Sequence, residues 1–148
     1  MSIILGVDPG KATGYAVYDS EAQKVLLAEI HNDGPLECVE RLTDLFYWYT
    51  PDEKVYESFI PRWGQKFDLD GVYLIGAMEA FTEGWNVVKP SEHKAVVKDS
   101  VLNPLMKSTG IPIGAGHSRD ALRLCLYVSA VRLREHSTLQ LLTGGSND

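Results

Sequence analysis

The chain has 148 residues, 45% of them hydrophobic and 23% charged, which predicts one folded domain with a single substantial core and excludes a disordered or fibrous polypeptide. No stretch approaches the ~20 apolar residues of a membrane helix and no basic-then-apolar leader opens the chain, so no membrane is expected as partner. The net charge of −6 is unevenly spread: residues 58–134 hold ten of the fourteen Lys/Arg and seven of the twenty Asp/Glu, a balance of +3 that leaves −9 elsewhere and allows a basic face on an acidic protein.

Ser2 to Val7 is an apolar run ending at Asp8-Pro9-Gly10 and predicts a strand closed by a tight turn. Tyr15–Tyr18 and Lys24–Ile30 predict a second and third strand, joined by connections short enough for an antiparallel meander. Gly34-Pro35 opens a helix in which Leu36, Val39, Leu42, Phe46 and Tyr49 recur at helical spacing, stopped by Thr50-Pro51-Asp52. Lys54–Glu57 predicts a fourth strand, and residues 58–67, with Pro61 and Gly64, a loop. Asp68 is placed to cap a helix over 69–83 whose Leu69, Val72, Tyr73, Gly76, Ala77 and Ala80 share one face. Asn86–Lys89 predicts a fifth strand, Ser91 to about Val101 a helix, 102–116 a loop, and 117 or 118 to 134 a last helix. The expected domain is residues 1–136, with 137–148 a flexible tail. Cys38 and Cys125 have neither metal-type spacing nor a disulfide pattern, so a cytoplasmic protein with reduced thiols is expected.

Three features carry chemistry. Asp8, in Gly6-Val7-Asp8-Pro9-Gly10 followed by Thr13-Gly14, puts a carboxylate at a strand end, with glycines that let the chain turn beneath a ligand. Asp-Pro-Gly alone is a common turn. Glu57 ends the strand Val55-Tyr56-Glu57, a position usually solvated. His117 and Asp120, three apart at a helix start, share a face, although Asp is favoured there by the helix dipole alone. Taken together, carboxylates converging from strand ends and a helix start repel one another unless hard cations sit between them. Two Mg²⁺ ions roughly 3.5–4 Å apart would serve the attacking and leaving oxygens of a phosphodiester. His117 could ligate, orient water or shuttle a proton.

The segments GVDPGKATGYAVY (6–18), VYESF (55–59) and GHSRDAL (116–122) resemble the RuvC family of Holliday junction resolvases, most closely the compact bacteriophage versions. The resemblance runs from about residue 3 to 134, and its final HxxDA element is the more discriminating part. It implies an α/β, single-domain RNase H-like fold with a mixed five-stranded sheet flanked by helices. It further implies Asp8, Glu57 and Asp120 as metal-binding acids, His117 as the fourth active-site residue, Mg²⁺ or Mn²⁺ as cofactor, branched DNA as substrate, and a homodimer that nicks a four-way junction symmetrically. For a phage enzyme the expected compartment is the bacterial host cytoplasm. Phe59 follows Glu57 where cellular members often carry an aromatic that enters the junction, but the loop Pro61–Lys66 has a different pattern.

Arg62, Trp63 and Lys66 lie within ten residues of Glu57, two cations around an aromatic, as phosphate contact with base stacking requires. Lys89, Lys94 and Lys98 fall around a helix start, and Lys107, Arg119 and Arg123 are further candidate DNA contacts. The small-residue face of helix 69–83 is the expected dimer seam. Competing readings are an RNA-processing nuclease of the YqgF-like branch, a non-catalytic nucleic-acid-binding module, and a fragment of an actin-like ATPase. The last is disfavoured because 148 residues cannot supply two nucleotide-clamping domains.

Overall fold

The computed structural model describes residues 2–32, 34–58, 69–110 and 116–144. Its layering follows from the first strand, β1 (Ile3–Asp8), which is buried on both faces. Side chains alternate across a strand, and here Ile4 joins one apolar cluster while Leu5 and Val7 join another. A strand lined on both sides must sit inside a sheet covered by helices on both faces.

The other elements are β2 (Thr13–Asp19), β3 (Lys24–His31), α1 (Pro35–Tyr49), β4 (Glu53–Glu57), α2 (Leu69–Phe81), β5 (Asn86–Val88), α3 (Pro90–Val96), α4 (Asp99–Ser108), α5 (Gly116–Tyr127), a π-helical turn (Val128–Arg132) and α6 (His136–Leu142). The sheet has five strands in the order β3-β2-β1-β4-β5. β1, β2 and β3 form the expected antiparallel meander, while β4 and β5 run parallel to β1. The mixed five-stranded α/β sheet is therefore borne out. Leu5, Val7, Tyr15 and Val17 pack with Leu42 and Leu45 of α1 and Leu74 and Met78 of α2. Ile4, Ala16, Tyr18 and Val55 pack with Leu122, Cys125 and Leu126 of α5 and with Leu102 and Met106 of α4. Cys38 and Cys125 are buried and form no disulfide with each other.

Several expectations are corrected. The single helix from Ser91 to about Val101 is two, parted at Val97 and Lys98, both extended. The buried Arg123 guanidinium donates to the Val97 carbonyl released by that break and to the Asp99 carboxylate, a tertiary stabilisation with no local sequence signal. Residues 102–108 are helical, not loop, with Pro104 inside α4. The last long helix does not stay α-helical to 134. It widens into a π turn, where Leu133 N–H donates to Val128 C=O at 2.9 Å, and Arg134 is left-handed at φ 53. The tail expected from 137 begins as α6, whose Thr138 is buried and bonds Ser129 at 2.6 Å. Glu135 anchors that helix by accepting from Ser20 and Ser129. On α2 the buried residues are Gly71, Leu74 and Met78, so the face bearing Leu69, Val72, Tyr73, Gly76 and Ala80 is exposed. A Cβ built at Gly76 meets nothing within 4 Å. That face is thus not part of the core. The predicted capping residue Asp68 and most of the 58–67 loop lie outside the described residues.

Candidate active site

Alternation along β1 and β4 decides where the acids point. Asp8 has the parity of Ile4 and Gly6, and Glu57 has the parity of Val55, so both carboxylates emerge on the α5 side. The parallel register pairs Gly6 with Val55 and Val7 with Tyr56. One step further along the same register brings Asp8 beside Glu57.

Of the glycines in the opening motif, Gly10 lines the cleft in the turn after Asp8, whereas Gly6 and Gly14 serve packing. Gly10 does not take a left-handed conformation. A Cβ at Gly14 would lie 2.0 Å from the His117 carbonyl oxygen, and one at Gly6 would lie 2.3 Å from that of Ala121. Both glycines are there so that α5 can lie directly on β1 and β2. Through that contact the α5 start, carrying His117 and Asp120, reaches the strand end carrying Asp8.

Asp8, Glu57, His117 and Asp120 line one cleft of about 570 Å³, together with Lys11, Asn32 and Lys94. Asp8 is only 7% exposed, and His117 Nδ1 lies 3.0 Å from its Oδ2. Burial, and then the negative charge of Glu57, push the Asp8 carboxyl from 3.8 up to about 7, with Asp120 adding a little and the His117 contact pulling down. Glu57 is held from beneath by His93, whose ring is fully buried and whose Nε2 lies 2.7 Å from Glu57 Oε2. Asp120 Oδ1 accepts from Arg123 Nε at 3.4 Å. As placed, no three acid, imidazole or thiol groups among the described residues stand close enough together to grip a metal ion. Mutual repulsion of the carboxylates opposes such an approach.

All four acid-site residues expected from the sequence therefore meet in one cleft. Of the expected DNA contacts, Lys94 joins them on the rim, and Lys89 and Lys98 are exposed but outside that lining. Arg119 sits 3.7 Å from Asp99. Arg123 is corrected: it is buried and turned inward to Val97, Asp99 and Asp120, holding the Asp99 carboxyl below its usual range. Arg62, Trp63, Lys66 and Phe59 lie outside the described residues. Sequence reasoning missed Lys11, Asn32 and His93. Lys11 was detectable, three residues from Asp8 in the same turn, whereas Asn32 and His93 had no local signal.

No family model matches the chain, and no curated protein matches it in sequence. Solved structures do. T. thermophilus RuvC, in complex with a Holliday junction substrate, is similar at 16% identity over 88% of this chain and 96% of its own, with a TM-score of 0.71. The yeast mitochondrial Holliday junction resolvase Ydc2 is similar at 13% identity over 96% and 80%, with a TM-score of 0.56. The Fowlpox virus resolvase, in complex with Holliday junction DNA, is similar at 16% identity over 83% and 95%, with a TM-score of 0.53. At these identities the likeness speaks for architecture, and the conclusion is that the chain has the RNase H-like fold in the form carried by RuvC and other Holliday junction resolvases.

Proposed function

We propose that the chain is a structure-selective DNA endonuclease that hydrolyses phosphodiesters at four-way and other branched junctions. One observation carries the reading: Asp8 from β1, Glu57 from β4, and His117 and Asp120 from α5 line a single cleft in a fold shared with junction-resolving enzymes. The donor set fits a hard divalent cation. A buried carboxyl raised to about 7 by desolvation and two neighbouring acids is stabilised in its ionised form by a cation placed among them. Asp8, Glu57 and Asp120 would hold Mg²⁺ or Mn²⁺, two ions per site in our reading. Bound there, the ions would favour ionisation of a water and balance charge on the leaving oxygen.

The chain's own residues supply the rest. Lys11 and Lys94 on the cleft rim neutralise phosphates flanking the scissile one, and Asn32 offers an amide to the same strand. Asp8 holds His117 through Nδ1, which leaves Nε2 to carry a proton to or from the reacting oxygens. Lys89 and Lys98 extend the basic rim along α3 and the start of α4. Junction selectivity follows from two such sites held at a fixed spacing by a homodimer, for which the exposed apolar face of α2 is the seam.

The test is incubation with Mg²⁺ of a labelled four-way junction, alongside linear duplex, flap, bubble and RNA hairpin, repeated with Asp8→Asn. Paired symmetric nicks on the junction, lost in the variant, are expected. Cutting confined to RNA, or undiminished in the variant, would refute the proposal.

A further inference from the structure

We propose that His93 is a positioning residue for Glu57, and through it for the divalent cation that the acid cleft would bind; the inference rests on the nuclease reading above. Glu57 ends β4 and is partly exposed, with side-chain exposure of 17%. A glutamate in such a place samples several rotamers, and a ligand that wanders binds weakly. Here its Oε2 lies 2.7 Å from His93 Nε2. A carboxylate offers only lone pairs, so the proton of that bond sits on Nε2 and the imidazole donates. Among the described residues Oε1 has no such partner and is the oxygen left to take a ligand.

Packing does not account for His93. Its ring is fully buried, and Nδ1 is enclosed with no hydrogen-bond partner among the described residues. A leucine or methionine would fill this space without stranding a polar atom. A histidine held at that disadvantage points to the one bond it makes. Its platform is anchored: α3 is tied to α5 by the Tyr127 hydroxyl, which donates to Glu92 Oε2 at 3.2 Å, and Glu92 Oε1 accepts from the Lys89 backbone N–H. The next residue, Lys94, lines the acid cleft, so one short helix fixes both a carboxylate and a rim cation.

The experiment measures Mn²⁺ binding directly, by titration calorimetry and by the loss of free-ion paramagnetic resonance, on wild type, His93→Leu, His93→Gln and His93→Asn. Melting curves in EDTA check folding, and gel shifts of a four-way junction in EDTA check DNA affinity. His93→Gln keeps an N–H donor near the Nε2 position, whereas Asn is too short to reach it. The expected result is about 10–100-fold weaker Mn²⁺ binding for Leu and Asn, binding within about threefold of wild type for Gln, and unchanged junction affinity in EDTA. Should the Leu variant fail to fold, the contrast between Gln and Asn decides. Wild-type Mn²⁺ affinity in Leu, or equal affinities in Gln and Asn, would overturn the role of His93 alone. Absence of Mn²⁺ binding by the wild type would overturn the metal-nuclease reading and this inference with it.

Discussion

Asp8→Asn, the substitution expected to abolish cleavage, should make the protein more stable. Moving a carboxyl from its ordinary 3.8 to about 7 means that the folded state resists the ionised form. At about 1.4 kcal/mol per pKa unit, ionised Asp8 costs the fold about 4 kcal/mol once the pH exceeds 7. Water entering the cleft trims that figure, so a gain of about 2–4 kcal/mol is expected for the variant, roughly 5–15 °C in melting temperature for a domain of this size. The sign follows from linkage: between pH 4 and 7 the folded chain keeps a proton that the unfolded chain releases, so wild-type stability falls as pH rises through that window. Asn does not titrate, and the gap between the two proteins should widen by about 2–3 kcal/mol from pH 5 to pH 8. Urea melts of both proteins in EDTA at these two pH values measure it. Adding millimolar Mg²⁺ should then raise only the wild type. An Asn variant equal to or weaker than wild type at pH 8, or a gap that does not change with pH, would refute the argument.

Three further outcomes are expected. Gly14→Ala drives a methyl into the His117 backbone and should reduce junction cleavage at least about 100-fold while costing about 1–3 kcal/mol in urea melts. Arg123→Met strands the carbonyl of the buried Val97 and should cost about 1–3 kcal/mol, again read by urea melts. For the proposed homodimer, Gly76→Arg should leave folding intact by circular dichroism and sediment as a monomer where wild type sediments as a dimer; a fully dimeric variant would exclude the α2 seam.

How much of this was legible in the sequence depended on the range of the interaction. Strands β1 to β5 and helix α1 were visible because period-2 and period-3.6 patterns are local, and Asp-Pro-Gly and Pro51 punctuate them. The four acid-site residues were legible as separate motifs, but their convergence depends on strand register and on Gly6 and Gly14 admitting α5. The break at Val97 was hidden because its stabilising guanidinium is 26 residues away. His93 was hidden for the same reason: Ser-Glu-His-Lys reads as a solvated helix turn, and its partner is 36 residues upstream. On α2, apolar residues occur on both faces, so the pattern could not say which one the core takes.

The docking of α5 onto β1 and β2 also sets the order in which activity can arise on the ribosome. Asp8 and its His117 partner are 109 positions apart, so synthesis supplies the two halves of the cleft at well-separated times. A nascent chain stopped before residue 116 has Ile4, Ala16 and Tyr18 without the α5 side chains that bury them, and has neither His117 nor Asp120. It lacks both the cover of its apolar sheet face and half of the cleft. A cleft built this way is complete only once α5 has been made, so truncation after α4 removes His117 and Asp120 together.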